Sequence, residues 1–244
     1  MVFVCRCLSI WKRSDKTKIC TANLPTYLQP AIIGFDSGAE KLYQRPSIPS
    51  KRRHVFHLHQ LHEAIADATK TLQSLLDLDA QFAKAADLIE ECLRAGNKLL
   101  VCGNGGSAAD AAHFATELVV RFAKDRQAYP AICLATDGGL LTAAGNDYGF
   151  DEIFARQVAA FGQPGDVLIC LTTSGESKNV VRALEEAKTR KLKTIALLGR
   201  DGGSSIGMAD IDLLVRSNST ARIQEAHQVL LHVLCEVVES RIEE

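Results

Sequence analysis

No apolar run in this 244-residue chain approaches the ~20 residues that cross a bilayer, so no membrane-spanning helix is expected. An excess of charge of one sign is also missing. The 28 Lys and Arg stand against 29 Asp and Glu, a formal net charge of -1, which gives no electrostatic case for nucleic acid or an anionic membrane as main partner. None of the eight cysteines forms a C-x-x-C pair, and Cys5, Cys7 and Cys20 have no His at finger spacing, so a metal finger is not expected. A good secretory signal is lacking as well. The stretch MVFVCRCLSIWKRSD carries Arg6 inside its short apolar run, and its basic residues follow that run rather than precede it.

What is there is the make-up of an ordinary soluble globular protein, 47% hydrophobic and 23% charged, with length for one α/β domain plus an accessory segment. Such a chain needs no disulfide staples. Cys102, Cys133 and Cys170 sit in apolar runs that read as buried strands, where Cys acts as a small hydrophobe, and a reducing cytoplasm is the expected location. Residues 1–53 keep no period, scatter Pro and Ser (PSIPSKRR) and end in a basic cluster, which predicts a poorly structured extension. Residues 54–95 read as two helices. Leu58, Leu61, Ile65, Ala68, Leu72 and Leu75 recur at spacings of three and four, and Phe82, Ala85, Ile89 and Cys92 form a second stripe before Gly96. His54, His57, His59 and His62 crowd the start of the first helix. With no acidic or Cys partner arranged beside them, they read as exposed rather than metal-binding.

Residues 96–244 alternate between short apolar runs and helical patterns. KLLVC, PAICLA, GDVLICLT, KTIALLG and IDLLVRS read as five strands. Helices are expected after the glycine loop to about Ala123, over 151–161, over 178–190 and over 221–244, with an irregular stretch after the second strand. Continuous apolar strands alternating with helices predict an α/β fold, a three-layer αβα sandwich around a five-stranded parallel sheet. In such sheets ligands bind where strands end and helices begin. Two loops with chemical content lie there.

The first loop is GNGGS, Gly103 to Ser107. Glycines let backbone N–H groups approach an anion at a helix head, where the dipole favours negative charge. No G-K-[ST] follows, so it is not a Walker loop. Gly103, Gly105 and Ala108 fit an allowed variant of the dinucleotide fingerprint, but the acidic residue expected ~20 positions on is missing at the end of the second strand. The second loop, TTSGES from Thr172 to Ser177, offers three hydroxyls in a row, a glycine and another hydroxyl, which suits a phosphate monoester that must be released again. An ordinary helix N-cap would use the same residue types. Two such loops at one sheet edge favour the phosphate.

His113 and Glu117 stand one turn apart on the helix behind the first loop, as acid/base or metal-binding groups or as a solvated face. In the last helix Gln224 and His232 interrupt an apolar stripe, about 80° apart on the wheel. His232 sits among Leu230, Leu231, Val233 and Leu234, where a polar ring needs a reason. His227, beside Glu225 and Gln228, reads as exposed.

Four segments, CGNGGSAADAAHFATEL, AAGNDYGFDEIFARQV, GDVLICLTTSGESKNV and RIQEAHQVLLH, together resemble the phosphoheptose isomerases of the sugar-isomerase (SIS) domain superfamily. The resemblance runs from about Val55 to the C-terminus. It implies a SIS-type, flavodoxin-like fold that converts sedoheptulose 7-phosphate to D-glycero-D-manno-heptose 7-phosphate by enediol proton transfer, the first step toward ADP- or GDP-heptose. It implies that Thr172, Thr173, Ser174 and Ser177 hold the phosphate, with Asn104, Gly105, Gly106 and Ser107 in the first substrate loop. Asn146, Asp147 and Gln224 would reach the sugar, with Glu117 and His232 as the acid/base pair. His113, Glu117, Gln224 and His232 match positions that hold zinc in some members. A homotetramer with sites between subunits is implied, and gives residues 54–95 a packing role. The chain departs from many members at Ala221, where they are acidic, and this bears on the sugar end. A non-catalytic phosphosugar-binding protein of the same superfamily is the alternative; those relatives lack the Glu/His pair.

Overall fold

Five short apolar segments pair into one sheet: β1 (Leu99–Gly103), β2 (Ala131–Cys133), β3 (Val167–Thr172), β4 (Lys193–Gly199) and β5 (Ile211–Val215). Every pairing is parallel and the spatial order is β2-β1-β3-β4-β5. All positions of β1 and β3 are buried, as continuous apolar runs covered on both faces should be. The computed structural model describes residues 50–242, with side chains from residue 58. The expectations for residues 1–49, including Cys5, Cys7 and Cys20, lie outside the described residues, as do the side chains of His54 and His57.

Helices cover both faces. Alternate strand residues Leu99, Val101, Ile169 and Leu197 pack with α2 (Asp79–Arg94), α3 (Gly106–Val119) and α7 (Thr220–Ile242). Leu100, Cys102, Leu168 and Cys170 face the other way, onto α5 (Ala155–Phe161) and α6 (Lys178–Thr189). This is the expected three-layer sandwich. Cys102 and Cys170 are register partners, fully buried, with Sγ atoms 3.4 Å apart; the contact between the thiols, and their burial, push the Cys102 pKa up. Both act as core filling.

The first helix, α1, spans Ser50–Gln73 and so begins four residues inside the stretch expected to be poorly structured. Its apolar stripe is only half used. Leu72, and Leu75 in the 3-10 turn Ser74–Leu78 that follows, pack on the core, whereas Leu58, Leu61 and Ile65 are each more than half exposed. His59 and His62 are exposed, but His59 does have an acidic partner, Glu63 at 3.2 Å.

Two further features differ from the sequence expectations. The irregular stretch after β2 contains a helix, α4 (Gly138–Tyr148), capped by Asp137, whose carboxylate accepts from the Leu140 N–H at 2.9 Å. No residue of α4 is fully buried, and only Leu141 and Ala144 pack partly on the core, so its apolar stripe is too short to read. The helix expected over 151–161 is correspondingly short, beginning at Ala155 after a 3-10 turn at Phe150–Glu152.

The second difference is His227, which is fully buried rather than exposed. It stands four residues after Ile223 and four before Leu231, on the stripe that α7 lays against the sheet. Its Nε2–H donates to the Leu198 carbonyl at 3.2 Å, and its Nδ1 is buried without a partner. Burial pushes its pKa down from 6.5 to about 4. Between those values the unfolded chain binds a proton that the folded chain refuses, so stability falls as pH drops through the window, by up to ~3 kcal/mol. Urea unfolding of His227→Leu at pH 7 and pH 4.5 is expected to show a smaller acid loss than wild type. Equal losses in the two proteins would remove the assignment.

Candidate active site

The strand order reverses between β1 and β3, and both loops leave the sheet there. In the first, Gly105 has φ +55° and forms the N-cap of α3 without any side-chain hydrogen bond. Gly106 allows a close approach: a Cβ there would lie 2.2 Å from Nε2 of Gln224. The Gln224 amide, delivered by α7, therefore rests on the head of α3. Ser107 is buried behind it.

In the second loop Thr172 is nearly buried and organises the turn. Its Oγ1 accepts from the Gly175 N–H at 3.1 Å and lies 3.3 Å from Ser177 Oγ and 3.5 Å from Ser174 Oγ. Ser177 is the N-cap residue of α6, yet its side chain makes no capping bond. Thus neither α3 nor α6 spends a hydroxyl on its own first turn, unlike α4 with Asp137. The unanswered N–H groups and dipoles of two neighbouring helix heads are left facing the loops. The β4–β5 connection supports this turn from behind. Ser205 N–H and Oγ both donate to the Gly175 carbonyl, and Glu176 accepts from Ser204 N–H and Oγ. Gly175 has φ +70°, and a Cβ on it would sit 2.0 Å from the Gly202 carbonyl oxygen.

Further along α3 and α7 a second group forms. His113 Nε2 lies 2.9 Å from His232 Nε2 and 3.4 Å from Glu117 Oε1. The Gln228 amide reaches the same His232 nitrogen at 2.8 Å, and the Phe122 ring packs 5.5 Å from the imidazole. His113 is 43% exposed at its side chain and Glu117 20%, so the group lies open to the surroundings of a single chain. His232 does not sit on the buried stripe; His227 does, and His232 turns toward α3.

Among the described residues, no three His, Cys, Asp or Glu side chains gather closely enough to define a metal site by themselves. The donor set of His113, Glu117 and His232, two imidazoles and a carboxylate, nevertheless has chemistry that suits zinc, whereas Gln224, resting on Gly106 at the head of α3, stands apart from those three.

Asn146 and Asp147 are exposed near the end of α4 and hydrogen-bond to each other at 2.8 Å; no hydrogen bond joins them to either loop. Thr173 and Ser174 are half-buried beside Thr172. An open cavity of about 480 Å³ borders the second loop at Ser174 and Glu176. It extends over Arg200, Asp201 and Arg216, and reaches neither Glu117 nor His232.

Three contributions escaped the sequence reading. The side chains of Asn104 and Asn179 pair with each other at 2.8 and 2.9 Å. Gln228 orients His232. Arg126 and Glu239 form a buried ion pair at 2.9 Å, and the Arg126 guanidinium also donates to the Glu117 and Leu118 carbonyls, so it holds the end of α3 that carries Glu117. Only Asn179 gave a signal, as a polar residue in the first turn of a helix following a hydroxyl loop.

Residues 63–199 match the family model of the SIS domain. With the 2-1-3-4-5 sheet and the two loops at its switch point, this places the chain among the SIS-domain proteins. Phosphoheptose isomerases of Geobacter sp. (strain M21) and Shewanella sp. (strain ANA-3) are 52% identical over 166 residues and 46% over 185. Those stretches take in 68% and 72% of this chain and 86% and 94% of theirs. Solved phosphoheptose isomerases from Neisseria gonorrhoeae and Francisella tularensis superpose with TM-scores of 0.71 and 0.73 at 42% and 39% identity. They cover 75% and 76% of this chain and 98% and 99% of their own. The chain belongs to the phosphoheptose isomerase family and is an aldose–ketose isomerase. The non-catalytic alternative is not favoured beside these relatives.

Proposed function

We propose that this chain interconverts sedoheptulose 7-phosphate and D-glycero-D-manno-heptose 7-phosphate through an enediol, the first step toward ADP- or GDP-heptose, in the cytoplasm. The observation that carries the reading is the division of labour along α3 and α7: a hydroxyl-lined cradle at two uncapped helix heads, and a carboxylate with two imidazoles further down. In a heptose 7-phosphate the phosphate and the reacting C1–C2 pair are at opposite ends of the sugar. The cradle and the proton-transfer groups must therefore stand apart. Gly106 and Glu117 are eleven residues apart on α3, ~16 Å of helix rise, which is longer than an extended seven-carbon sugar phosphate, so the proton-transfer groups that serve one chain's cradle come from a neighbouring copy.

Thr172, Thr173, Ser174 and Ser177 hold the phosphate through hydroxyls and N–H groups without a fixed cation, which permits release. Asn104, Gly105, Gly106, Ser107 and Gln224 line the sugar side, and Asn146 and Asp147 are assigned to its hydroxyls. Glu117 takes the proton from C1, beside the C2 carbonyl, and returns it to C2. His232 moves the hydroxyl proton between O1 and O2, oriented by Gln228. His113, Glu117 and His232 would hold a zinc ion, joined by Gln224 once its amide leaves Gly106, and the bound ion would supply positive charge to a developing enediolate. The apolar face Leu58–Leu61–Ile65 and the open His113 support a homotetramer in which neighbouring copies close the site.

Purified protein given sedoheptulose 7-phosphate and zinc is expected to form the aldoheptose phosphate, followed by mass-neutral conversion in NMR. Binding of the ketose phosphate with no aldose formed would return the chain to the binding-protein reading.

A further inference from the structure

Asn104 is the first residue beyond β1, and Asn179 is the second residue of α6. The Asn104 Nδ2 donates to Asn179 Oδ1 at 2.8 Å, and the Asn179 Nδ2 donates to Asn104 Oδ1 at 2.9 Å. The two amides thus form a closed, reciprocal pair between residues 75 apart in the chain. Among the described residues, these are the only hydrogen bonds between Asn104–Ser107 and Thr173–Asn179. Asn179 is 2% exposed and cannot itself meet a solvent-borne ligand, whereas Asn104 is only half-buried.

A reciprocal amide pair has a geometric consequence. If either amide alone turned over, N–H would face N–H and carbonyl would face carbonyl, so each amide fixes the orientation of the other. Asn104 then has one N–H and one carbonyl lone pair left, in directions set by Asn179. Asn179 is anchored in turn by the helix it starts, whose next residues Val180 and Ala183 are fully buried against the sheet. A surface asparagine without such a partner would sample several rotamers and lose that preorganisation.

We propose that Asn179 is a positioning residue for the substrate: its buried amide clamps Asn104, fixes the gap between the glycine loop and the phosphate loop, and sets the direction in which Asn104 meets a sugar hydroxyl. This rests on the reading of both loops as the sugar-phosphate site. Asn179 acts wholly through Asn104, so the two residues are not independent.

A double-mutant cycle reads this dependence. Asn179→Ala is expected to raise KM for sedoheptulose 7-phosphate about tenfold, the loss of roughly one well-placed hydrogen bond, with kcat changed less than about threefold. Asn104→Ala should raise KM at least as much, and the double variant should match Asn104→Ala within about twofold. Effects that multiply in the double variant, or an unchanged KM in Asn179→Ala, would overturn the proposal. Should Asn179→Ala fail to fold, Asn179→Asp keeps the volume but sets a carboxylate oxygen against Asn104 Oδ1, with the same KM expected. Hydrogen–deuterium exchange of residues 103–107 is read in the same proteins. It should rise about tenfold in the Asn179 variants, and unchanged exchange refutes the clamp. If wild type itself does not turn over the substrate, the functional reading has failed, and the clamp still stands or falls on exchange.

Discussion

Turnover of sedoheptulose 7-phosphate is expected to fall on the order of 10³-fold in Glu117→Gln, with the melting temperature within a degree or two of wild type. The amide has nearly the same shape as the carboxylate and can still accept a hydrogen bond where His113 now lies 3.4 Å away. What it cannot do is take a proton from carbon. A carboxylate that carries a proton from C1 to C2 is used only in the transition state, so kcat should carry the loss and KM little of it. Glu117 is partly exposed in one chain, so its replacement leaves no buried charge uncompensated and gives no reason for unfolding. Zinc content should be measured in the same variant, because an amide is a weaker zinc ligand than a carboxylate. Turnover kept within tenfold of wild type would sink the base assignment.

The largest effect on stability is expected at Glu239. This carboxylate accepts the N–H groups of Phe122, Ala123 and Lys124 at 2.8 to 3.1 Å and pairs with Arg126, both side chains being 3% exposed or less. Burial by itself would raise the Glu239 pKa. The three backbone donors and the Arg126 guanidinium outweigh it and hold the carboxyl below its ordinary range. Glu239→Ala strips the buried Arg126 guanidinium of its counter-charge and leaves three backbone N–H groups without an acceptor, a loss of ~3–5 kcal/mol out of the ~5–15 kcal/mol typical of a domain. Urea unfolding should show a lower midpoint with an unchanged slope. Because the folded-state pKa is depressed, this contribution is present above the ordinary carboxylate range and is lost as pH falls through the folded value. It therefore acts in the same direction as His227. A midpoint shift worth less than ~1 kcal/mol would mean that water replaces the lost carboxylate and the pair does not hold α3 in place.

Much of this architecture was legible because strand burial on both faces leaves a continuous apolar run, and β1, β3 and β4 each show one. The two loops could be found because glycine and hydroxyl residues between a strand and a helix have few other uses. α4 was not legible. It buries no side chain completely, and its start is set by a single capping carboxylate, so its pattern does not differ from that of a loop. The histidines of α7 show the limit of reading by neighbours in sequence. His227 stands beside polar residues and is buried; His232 stands among leucines and faces another histidine. Helix phase against the sheet decides between them, and the phase follows from Ile223, Leu230 and Leu231 rather than from adjacent residues.

By itself, then, the sequence determined the alternation of strands and helices, the parallel sheet and the edge at which the two loops meet, since each follows from local periodicity and turn chemistry. Only the tertiary structure decided that Asn104 meets Asn179 and that Arg126 meets Glu239, across 75 and 113 residues. It also decided that His113 meets His232. A polar side chain leaves the same trace in a sequence whether water or a distant partner satisfies it. Which one does is fixed only when packing the sheet between its helices removes the water and leaves the partner.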